Sequence, residues 1–364
     1  MSLYYILLIS IPVLCAILNK KTSSKTDFFN KIGFIFLIVM VAFRKNIGVD
    51  FKNYQLNYYN LSSNFDIGYT LLCSVLRSFS LPFSALLGVV GFFNCLVIYK
   101  FIDKNVDRDN RWIALFIYLG LFDIFIYSLS AIRQSISISF YLLSLICFEN
   151  KKNFNGYIMI ILGLLFHWSI VLMIPISFLI RKFKNVKTFK LLLLVIVIPL
   201  IYNYIMTSNF ISKIPFLNYN MNFYLNIEKY NVIIPKINII IFTITSFVWI
   251  LFITYFKGLN DNSKIKISKG SILSKTTAMT VVDWSVLLFL ISKICLALVY
   301  NGALPRLTMF LYFLLPISIA QKFSYFGTKY RILMICLLFI VIWYSLYNNV
   351  ISNPYYTDPG FGLI

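Results

Sequence analysis

The chain has 364 residues, of which 60% are hydrophobic and only 12% are charged, and its mean hydropathy is +0.83. A water-soluble domain of this length does not need so much apolar surface, so the composition indicates a helical integral membrane protein. The net charge of +21 could point to nucleic acid. The basic residues, however, lie in short clusters between apolar runs, as in loops at an anionic membrane face, so no nucleic-acid partner is expected.

Twelve apolar runs follow one another along the chain, and several are shorter than the ~20 residues that cross a hydrocarbon core. The pair around His167 is the shortest and could form a broken or re-entrant hairpin. We predict an all-α, polytopic membrane protein with about twelve membrane segments in a single transmembrane domain, residues 1–364. The first run has no preceding basic residue and no small-residue cleavage site, which favours a retained span over a signal peptide. The runs cover residues 3–18, 32–43, 81–101, 112–128, 131–148, 154–167, 168–180, 189–206, 237–256, 281–300, 306–320 and 332–347.

The basic clusters predict the orientation of these segments. They fall in every second connection between runs, as the positive-inside rule requires. This places both termini on the outer face and leaves two sizeable outer loops, 44–66 and 207–235, which we expect to contribute to a site. The clusters lie within residues 20–31, 100–111, 151–152, 181–190, 257–275 and 322–331.

Four polar residues stand out at the outer ends of apolar runs. They are Arg44, Arg133, Arg306 and the single histidine, His167. A titratable or charged side chain at the end of a membrane helix costs free energy because it lies close to the lipid. Such a residue is therefore a candidate functional residue. The predicted orientation puts all four on one aqueous side at a similar depth.

Each of these residues also has a structural interpretation. An arginine can extend to phospholipid headgroups, and Asp123 could neutralise Arg133. His167 could bond a neighbouring carbonyl inside the core. Gly48 could be needed simply to form a turn before Asp50. Lys293, within the tenth run, could line a transport path, although a local partner or extension to the membrane surface explains it better.

The polar residues occur in a recognisable series of motifs. The segment from Arg44 to Tyr54 resembles the Arg-x3-Gly-x-Asp-x3-Tyr opening of EpsG/Wzy-type polysaccharide polymerases, and four further segments match that family in order and spacing. Asp66 stands where glutamate is commoner. The four segments are Asp66–Tyr69 (acidic-x-Gly-aromatic), Ala131–Gln134 (an Arg-Gln helix start), Phe166–Ser169 (Phe-His-x-Ser) and Pro305–Leu307 (a late arginine that opens a span).

The resemblance implies an all-helical enzyme, similar in general plan to the GT-C glycosyltransferase class, that joins lipid-linked repeat units. The growing glycan would pass from undecaprenyl diphosphate to a sugar hydroxyl of the next lipid-linked unit. Arginine suits the diphosphate because its guanidinium bonds phosphate oxygens as a fork. Arg44, Arg133, His167 and Asp50 are the predicted catalytic residues. Arg306, Tyr54 and Gln134 are the predicted substrate-binding residues.

The proton acceptor is open between two residues. His167 is a suitable base because an imidazole has a reference pKa near ~6.5, and Asp50 competes with it or orients Arg44. The absence of a carboxylate pair or second histidine argues against a metal site, and none of the six cysteines forms a CxxC pair. Neither a metal nor a cofactor is expected.

The resemblance also implies a place and partners. The expected location is the bacterial inner membrane, with the site on the outer, periplasmic face. Expected partners are the undecaprenyl-diphosphate-linked oligosaccharide, membrane lipids, a chain-length regulator and a flippase. Three alternatives compete: a lipid-linked oligosaccharide flippase, an O-antigen ligase and a metal-dependent glycosyltransferase. The flippase should carry more charges in mid-helix, the ligase a longer late outer loop, and the metal-dependent enzyme an acidic pair in its first outer loop.

Overall fold

The computed structural model describes residues 3–21, 27–60, 65–182, 185–207, 237–260, 276–278, 280–298, 303–347 and 360–361, and most of them are helical. The greater part of the predicted outer loop 207–235 and of the basic segment 257–275 lies outside these residues. Among the described residues, four short strands form two antiparallel pairs, β1 (Arg44–Lys45) with β4 (Gly360–Phe361) and β2 (Asn185–Lys187) with β3 (Thr276–Ala278).

The described α-helices follow the predicted apolar runs, with two additional helices, α3 and α4, between the second and third runs. In chain order they are α1 (Leu3–Lys21), α2 (Phe28–Ala42), α3 (Phe51–Asn60), α4 (Ile67–Ser78), α5 (Phe83–Asn105), α6 (Arg111–Gly120), α7 (Tyr127–Ser130), α8 (Ile132–Glu149), α9 (Asn153–Leu164), α10 (Met173–Lys182), α11 (Thr188–Thr207), α12 (Ile237–Asn260), α13 (Val281–Leu298), α14 (Ala303–Tyr312), α15 (Leu315–Lys322) and α16 (Thr328–Leu346).

Length and composition identify membrane spans among these helices. Within the described residues six are long and apolar enough to cross a membrane, or up to seven if a bent pair, Arg108–Gly120 with Phe122–Ser130, counts as one. Four shorter apolar helices accompany them. The all-α, polytopic membrane class is confirmed. The number of twelve segments and the similarity to the GT-C class stay predictions, because whether a short helix crosses depends on tilt and packing as well as on its own length.

The chain divides into two compact units, of which the first comprises Met1–Val171 and Ile319–Ile364. In this unit α8 packs against α5 and α9, and α1 packs against α2 and α6. Asn94 of α5 links the two central helices: its amide donates to Ser135 Oγ over 2.9 Å, and Ser139 Oγ donates to its carbonyl oxygen over 2.7 Å. Such hydrogen bonds hold helices together where the apolar surroundings give little preference for one packing.

A break in the helical chain precedes α8. Leu121 is extended, residues Phe122–Ile126 form a π-helical turn, and the two halves of this region meet at 65°. After the short α7, Ala131 leaves helical geometry, and α8 starts afresh at Ile132. Arg133 therefore lies in the first turn of a new helix, where unpaired N–H groups and the helix dipole favour an anion.

The second unit comprises Leu172–Ser318, and α11, α12 and α13 pack together in it. Asp283 accepts a hydrogen bond from the backbone N–H of Thr280 over 3.1 Å at the start of α13. Further along this helix, the Lys293 ammonium lies 5.4 Å from the ring centre of Phe289, which stacks on Tyr312 at 4.3 Å. The charge in the tenth apolar run thus lies over aromatic rings, an arrangement that stabilises a cation away from water.

Candidate active site

The first turn of α4 is joined to the turn that carries His167. The backbone N–H of Gly68 donates to the carbonyl oxygen of Leu165 over 2.8 Å. A Cβ at position 68 would lie 2.9 Å from that oxygen, so the two backbones approach closely because residue 68 is glycine. Two of the segments that define the family resemblance, distant in sequence, are therefore neighbours in the structure.

Arg133 is the centre of a cluster formed with Tyr54, Phe65, Asp66 and Tyr69, which we call the Arg133 cluster. Its guanidinium forms an ion pair with the Asp66 carboxylate and donates a hydrogen bond to the Tyr54 hydroxyl oxygen. The guanidinium carbon lies 4.6 Å from the centre of the Phe65 ring, in cation–π range. The carboxylate that pairs with Arg133 in this cluster is thus Asp66, whereas the sequence suggested Asp123.

Three aromatic rings hold the Arg133 cluster in place. The ring centres of Tyr54 and Tyr69 are 5.4 Å apart, and Phe65 lies 5.7 Å from Tyr54 and 5.4 Å from Tyr69. Burial raises the pKa of the Tyr54 hydroxyl, and the charge of Arg133 lowers it in part. Tyr54 therefore keeps its proton at neutral pH and remains a hydrogen-bond donor beside a fixed cation.

His167 is held by its backbone and by Ser169. The backbone N–H of His167 donates to the carbonyl oxygen of Gly163 over 3.0 Å, and the backbone carbonyl oxygen of His167 accepts from Ser137 Oγ over 3.4 Å. The Ser169 backbone N–H lies 3.3 Å from His167 Nδ1, and Ser169 Oγ lies 2.6 Å from the same atom. A backbone N–H can only donate, so Nδ1 accepts, and the neutral ring carries its proton on Nε2.

The Arg133 cluster and the His167 turn lie along one face of α8. Ser137, which contacts the His167 backbone, is four residues after Arg133, so the two side chains share a face. Four residues of α-helix rise by about 6 Å. The guanidinium and the backbone of the His167 turn are thus anchored to positions on α8 that lie about one helical turn apart.

Arg44 is buried in the core of the first unit, with only 2% of its surface exposed. Its two terminal nitrogens donate over 2.8 Å to the carbonyl oxygens of Val41, in α2, and Leu129, in α7. Burial lowers the pKa of the guanidinium to about 10, so the cation persists at neutral pH. The adjoining cavity, of about 10 Å³, is too small for a diphosphate.

This geometry assigns Arg44 a structural role. The guanidinium satisfies carbonyl oxygens at the ends of two helices, where a cation also complements the helix dipole. Because α7 leads directly into α8, the bond to Leu129 connects Arg44 with the segment that precedes Arg133. The expected bond between Arg44 and a diphosphate stays a prediction.

Gly48 allows the outer segment to fold against α7. Its φ of +100° is unfavourable for other residues, and a Cβ there would lie 2.7 Å from the Cα of Ser130. The turn delivers Phe51, whose N–H donates to the Gly48 carbonyl oxygen over 3.2 Å at the start of α3. The sequence interpretation of Gly48 as a turn residue agrees with this geometry, and the close approach to Ser130 adds a second reason for glycine.

Alanine at position 48 is therefore expected to destabilise the protein by at least about 1–3 kcal/mol, from backbone strain together with the clash. This loss of stability is measured as a lower unfolding temperature in mild detergent, with size-exclusion chromatography to detect the unfolding. Gly327→Ala is a matched control, since a Cβ at position 327 has open space around it. Equal unfolding temperatures for the two variants would contradict the assigned role of Gly48.

The remaining predicted residues are distributed over both units. Asp50 is exposed and precedes α3, and its carbonyl oxygen accepts from the Tyr54 N–H over 2.9 Å. Gln134 is buried in the first turn of α8. Arg306 lies, partly exposed, in α14 of the second unit. Of the predicted site residues, the structure brings Tyr54 into contact with Arg133, and the His167 turn contacts α8 at Ser137.

Three partners in this region were not predicted as site residues from the sequence. Asp66 and Ser169 were part of the motifs, but they were not named as site residues. Phe65, next to Asp66, was not singled out at all. The signal for the first two was present, because each occupies a polar position in a segment that already matched the family pattern.

Comparison with known proteins agrees with the motifs. A model of the EpsG family matches residues 27–358, which include the Arg133 cluster, the His167 turn and Arg306. No curated protein and no solved structure matches the chain. Because the matched region covers most of the chain, the family predicted from the motifs is confirmed: the chain belongs to the EpsG family.

Proposed function

We propose that this protein is a polymerase that transfers a growing glycan from undecaprenyl diphosphate to a sugar hydroxyl of the next lipid-linked repeat unit. Membership in the EpsG family supports a polysaccharide-polymerase type of role, carried out by a membrane protein. The donor, the acceptor and the residue roles below belong to the proposal.

The observation that carries the proposal is the state of Arg133. Its Nε is a buried donor without a hydrogen-bond partner among the described residues. The Nε of Arg44 is unpaired in the same way, but Arg44 is only 2% exposed, whereas the Arg133 side chain is 27% exposed and can be reached by a ligand. A buried N–H that lacks an acceptor is costly, so such a group invites a ligand oxygen. Non-bridging oxygens of a diphosphate fit this donor, and the first turn of α8 adds positive potential beside it.

In the proposed reaction the acceptor hydroxyl oxygen attacks the anomeric carbon of the growing chain. The bond between that carbon and the diphosphate oxygen breaks, and undecaprenyl diphosphate leaves with both electrons of the bond. Arg133 stabilises the negative charge that develops on the leaving group. Such a preorganised donor typically contributes a factor of about 10²–10³ to the rate.

We assign the proton transfer to His167 acting through Ser169. The acceptor hydroxyl passes its proton to Ser169 Oγ, and the Ser169 proton moves to His167 Nδ1, 2.6 Å away. This route uses the tautomer that the Ser169 backbone N–H favours, in which Nδ1 is unprotonated and its lone pair can take up the proton. Asp50, exposed just before α3, is the alternative base that could take up the proton.

Gene deletion tests the proposed activity directly. Surface glycan from the deletion strain, analysed on gels, should lose its polymer and retain a single exported repeat unit. Plasmid-borne wild-type protein should restore the polymer. Loss of every exported unit would instead indicate a flippase, and polymer that accumulates on lipid without reaching its final acceptor would indicate a ligase. Either result would overturn the proposal.

The proposed location is the bacterial inner membrane, with the site on its outer, periplasmic face and about twelve segments once the shorter helices are included. Single cysteines placed in loops 44–66 and 207–235 of a cysteine-free variant should react with an impermeant reagent in intact cells. Cysteines placed in 181–190 and 257–275 should react only after permeabilisation. Labelling of 257–275 from outside would refute this orientation.

The same proposal defines the partners. A flippase would supply lipid-linked repeat units at the outer face, and a chain-length regulator would limit the product. Neither a metal nor a cofactor enters the proposed reaction, because the diphosphate is a good leaving group once fixed cations meet its charge.

A further inference from the structure

The first unit contains a cavity of about 370 Å³ at the opposite helix ends from Arg44. It is lined by residues near the C-terminal ends of α1 and α5 and the N-terminal ends of α2 and α6, whereas Arg44 follows the C-terminal end of α2. Its size is within the range of small-molecule sites. Phe34, Leu96 and Leu115 form apolar parts of its wall.

A buried hydroxyl group belongs to this cavity. Tyr99 lines it, and the Tyr99 hydroxyl oxygen is buried without a hydrogen-bond partner among the described residues. The ring packs at 5.4 Å against Phe34, which holds it in place. Buried hydroxyl groups are nearly always hydrogen-bonded, so this one indicates a missing acceptor.

Two lysines at the cavity have charges that the described residues do not neutralise. Lys31 and Lys100 line it, and neither forms an ion pair within the described part of the chain. Of the two carboxylates that line the cavity, only Asp103 forms an ion pair within the described residues. Asp103 pairs with Arg111, and Asp27 accepts a hydrogen bond from the Asn19 amide over 2.8 Å.

Each of the three guanidinium nitrogens of Arg111 already contacts an oxygen of the protein. Besides the Asp103 carboxylate, Arg111 donates to the carbonyl oxygens of Val106 over 3.1 Å and Asp103 over 3.0 Å. The main donors for a ligand are therefore the two ammonium groups, the Tyr99 hydroxyl and the Asn30 amide. With three cations and two carboxylates among the lining residues, the local charge is +1.

We propose that this cavity binds the phosphate headgroup of an anionic phospholipid. The phosphate lies between Lys31 and Lys100 and accepts a hydrogen bond from Tyr99, while an acyl chain follows the apolar wall. Free inorganic phosphate shares the headgroup chemistry, but the apolar lining of Phe34 and Leu96 favours an amphiphile. The positive-inside pattern places this site on the inner face, where anionic lipids attract basic side chains.

Native mass spectrometry of the delipidated full chain in detergent tests the proposal with dioleoyl phosphatidylglycerol as the probe. One molecule should bind more tightly than dioleoyl phosphatidylcholine, and millimolar inorganic phosphate should not displace it. The double variant Lys31→Gln/Lys100→Gln should weaken this binding by roughly tenfold or more, as expected for two lysines at a lipid surface. Tyr99→Phe, which keeps the ring, should weaken it severalfold.

The matched control is Lys152→Gln/Lys329→Gln, which removes two exposed lysines from the same predicted face, outside the cavity. This variant should bind the lipid as the wild type does. Equal weakening in both double variants would show only diffuse charge attraction and would overturn the proposed site. Displacement of the lipid by inorganic phosphate would assign the site to free phosphate and would equally overturn the lipid proposal.

Discussion

Replacement of His167 by glutamine is expected to lower the rate of glycan polymerisation by on the order of 10²–10⁴-fold. Glutamine is similar in size and can hydrogen-bond, but it does not take up a proton at neutral pH. The imidazole is buried, and Ser169 holds its Nδ1 as an acceptor. The measurement is polymer formation from purified lipid-linked repeat units, with monodispersity in detergent as the check on folding.

Two further variants locate the proton route. Ser169→Ala should lower the rate tenfold or more if the proton passes through this hydroxyl, because the backbone N–H that orients the ring remains. Asp50→Asn should change the rate little. A well-folded His167→Gln protein that still makes long polymer, together with an inactive Asp50→Asn protein, would transfer the base role to Asp50. If His167→Gln and Asp50→Asn both remain active, catalysis depends on leaving-group stabilisation alone.

Arg133→Lys is expected to lower the polymerisation rate by about 10²–10³-fold although the positive charge is kept. An ammonium group cannot reproduce the planar fork of the guanidinium, and it has no equivalent of the Nε donor. It also cannot bond Asp66 and Tyr54 at once in the geometry that the guanidinium adopts. The same assay with purified lipid-linked units measures the effect.

Arg77→Lys is the matched control for this substitution. Arg77 is partly exposed, like Arg133, and lies in the last turn of α4, outside the Arg133 cluster. This variant should polymerise as the wild type does. Normal activity of Arg133→Lys would show that Arg133 acts as a point charge or a lipid anchor, and the proposed diphosphate bond at this residue would be wrong.

The sequence predicted the helical elements well, because membrane helices are specified by local hydrophobicity. Each of the twelve apolar runs corresponds to helical structure among the described residues, but the break at Leu121 lies inside the predicted run 112–128 and was not predicted. The helices α3 and α4 were not predicted, since the segment from Phe51 to Asn60 is polar on average and α4 is amphipathic. Their positions depend on packing of Tyr54, Tyr58 and Tyr69 in one core cluster.

The site was predicted only in part. The motifs correctly identified the family, and the structure places Tyr54 against Arg133 as two members of one cluster. The motifs alone did not show that Asp66 pairs with Arg133 or that Ser169 holds the His167 ring. Arg44 looked equivalent to Arg133 in sequence, because both stand at the end of an apolar run.

Composition and the spacing of apolar and basic residues thus determined the membrane class, and the motifs determined the EpsG family. These are properties of short segments, and transfer from water to lipid acts on each segment largely by itself. Tertiary structure decided how deeply each arginine is buried. Burial and two carbonyl partners place Arg44 in the core, with 2% of its surface exposed, whereas the Arg133 side chain at the start of α8 is 27% exposed; the Nε of each arginine is unpaired among the described residues. That difference arises from contacts between residues far apart in the chain, which no local pattern records.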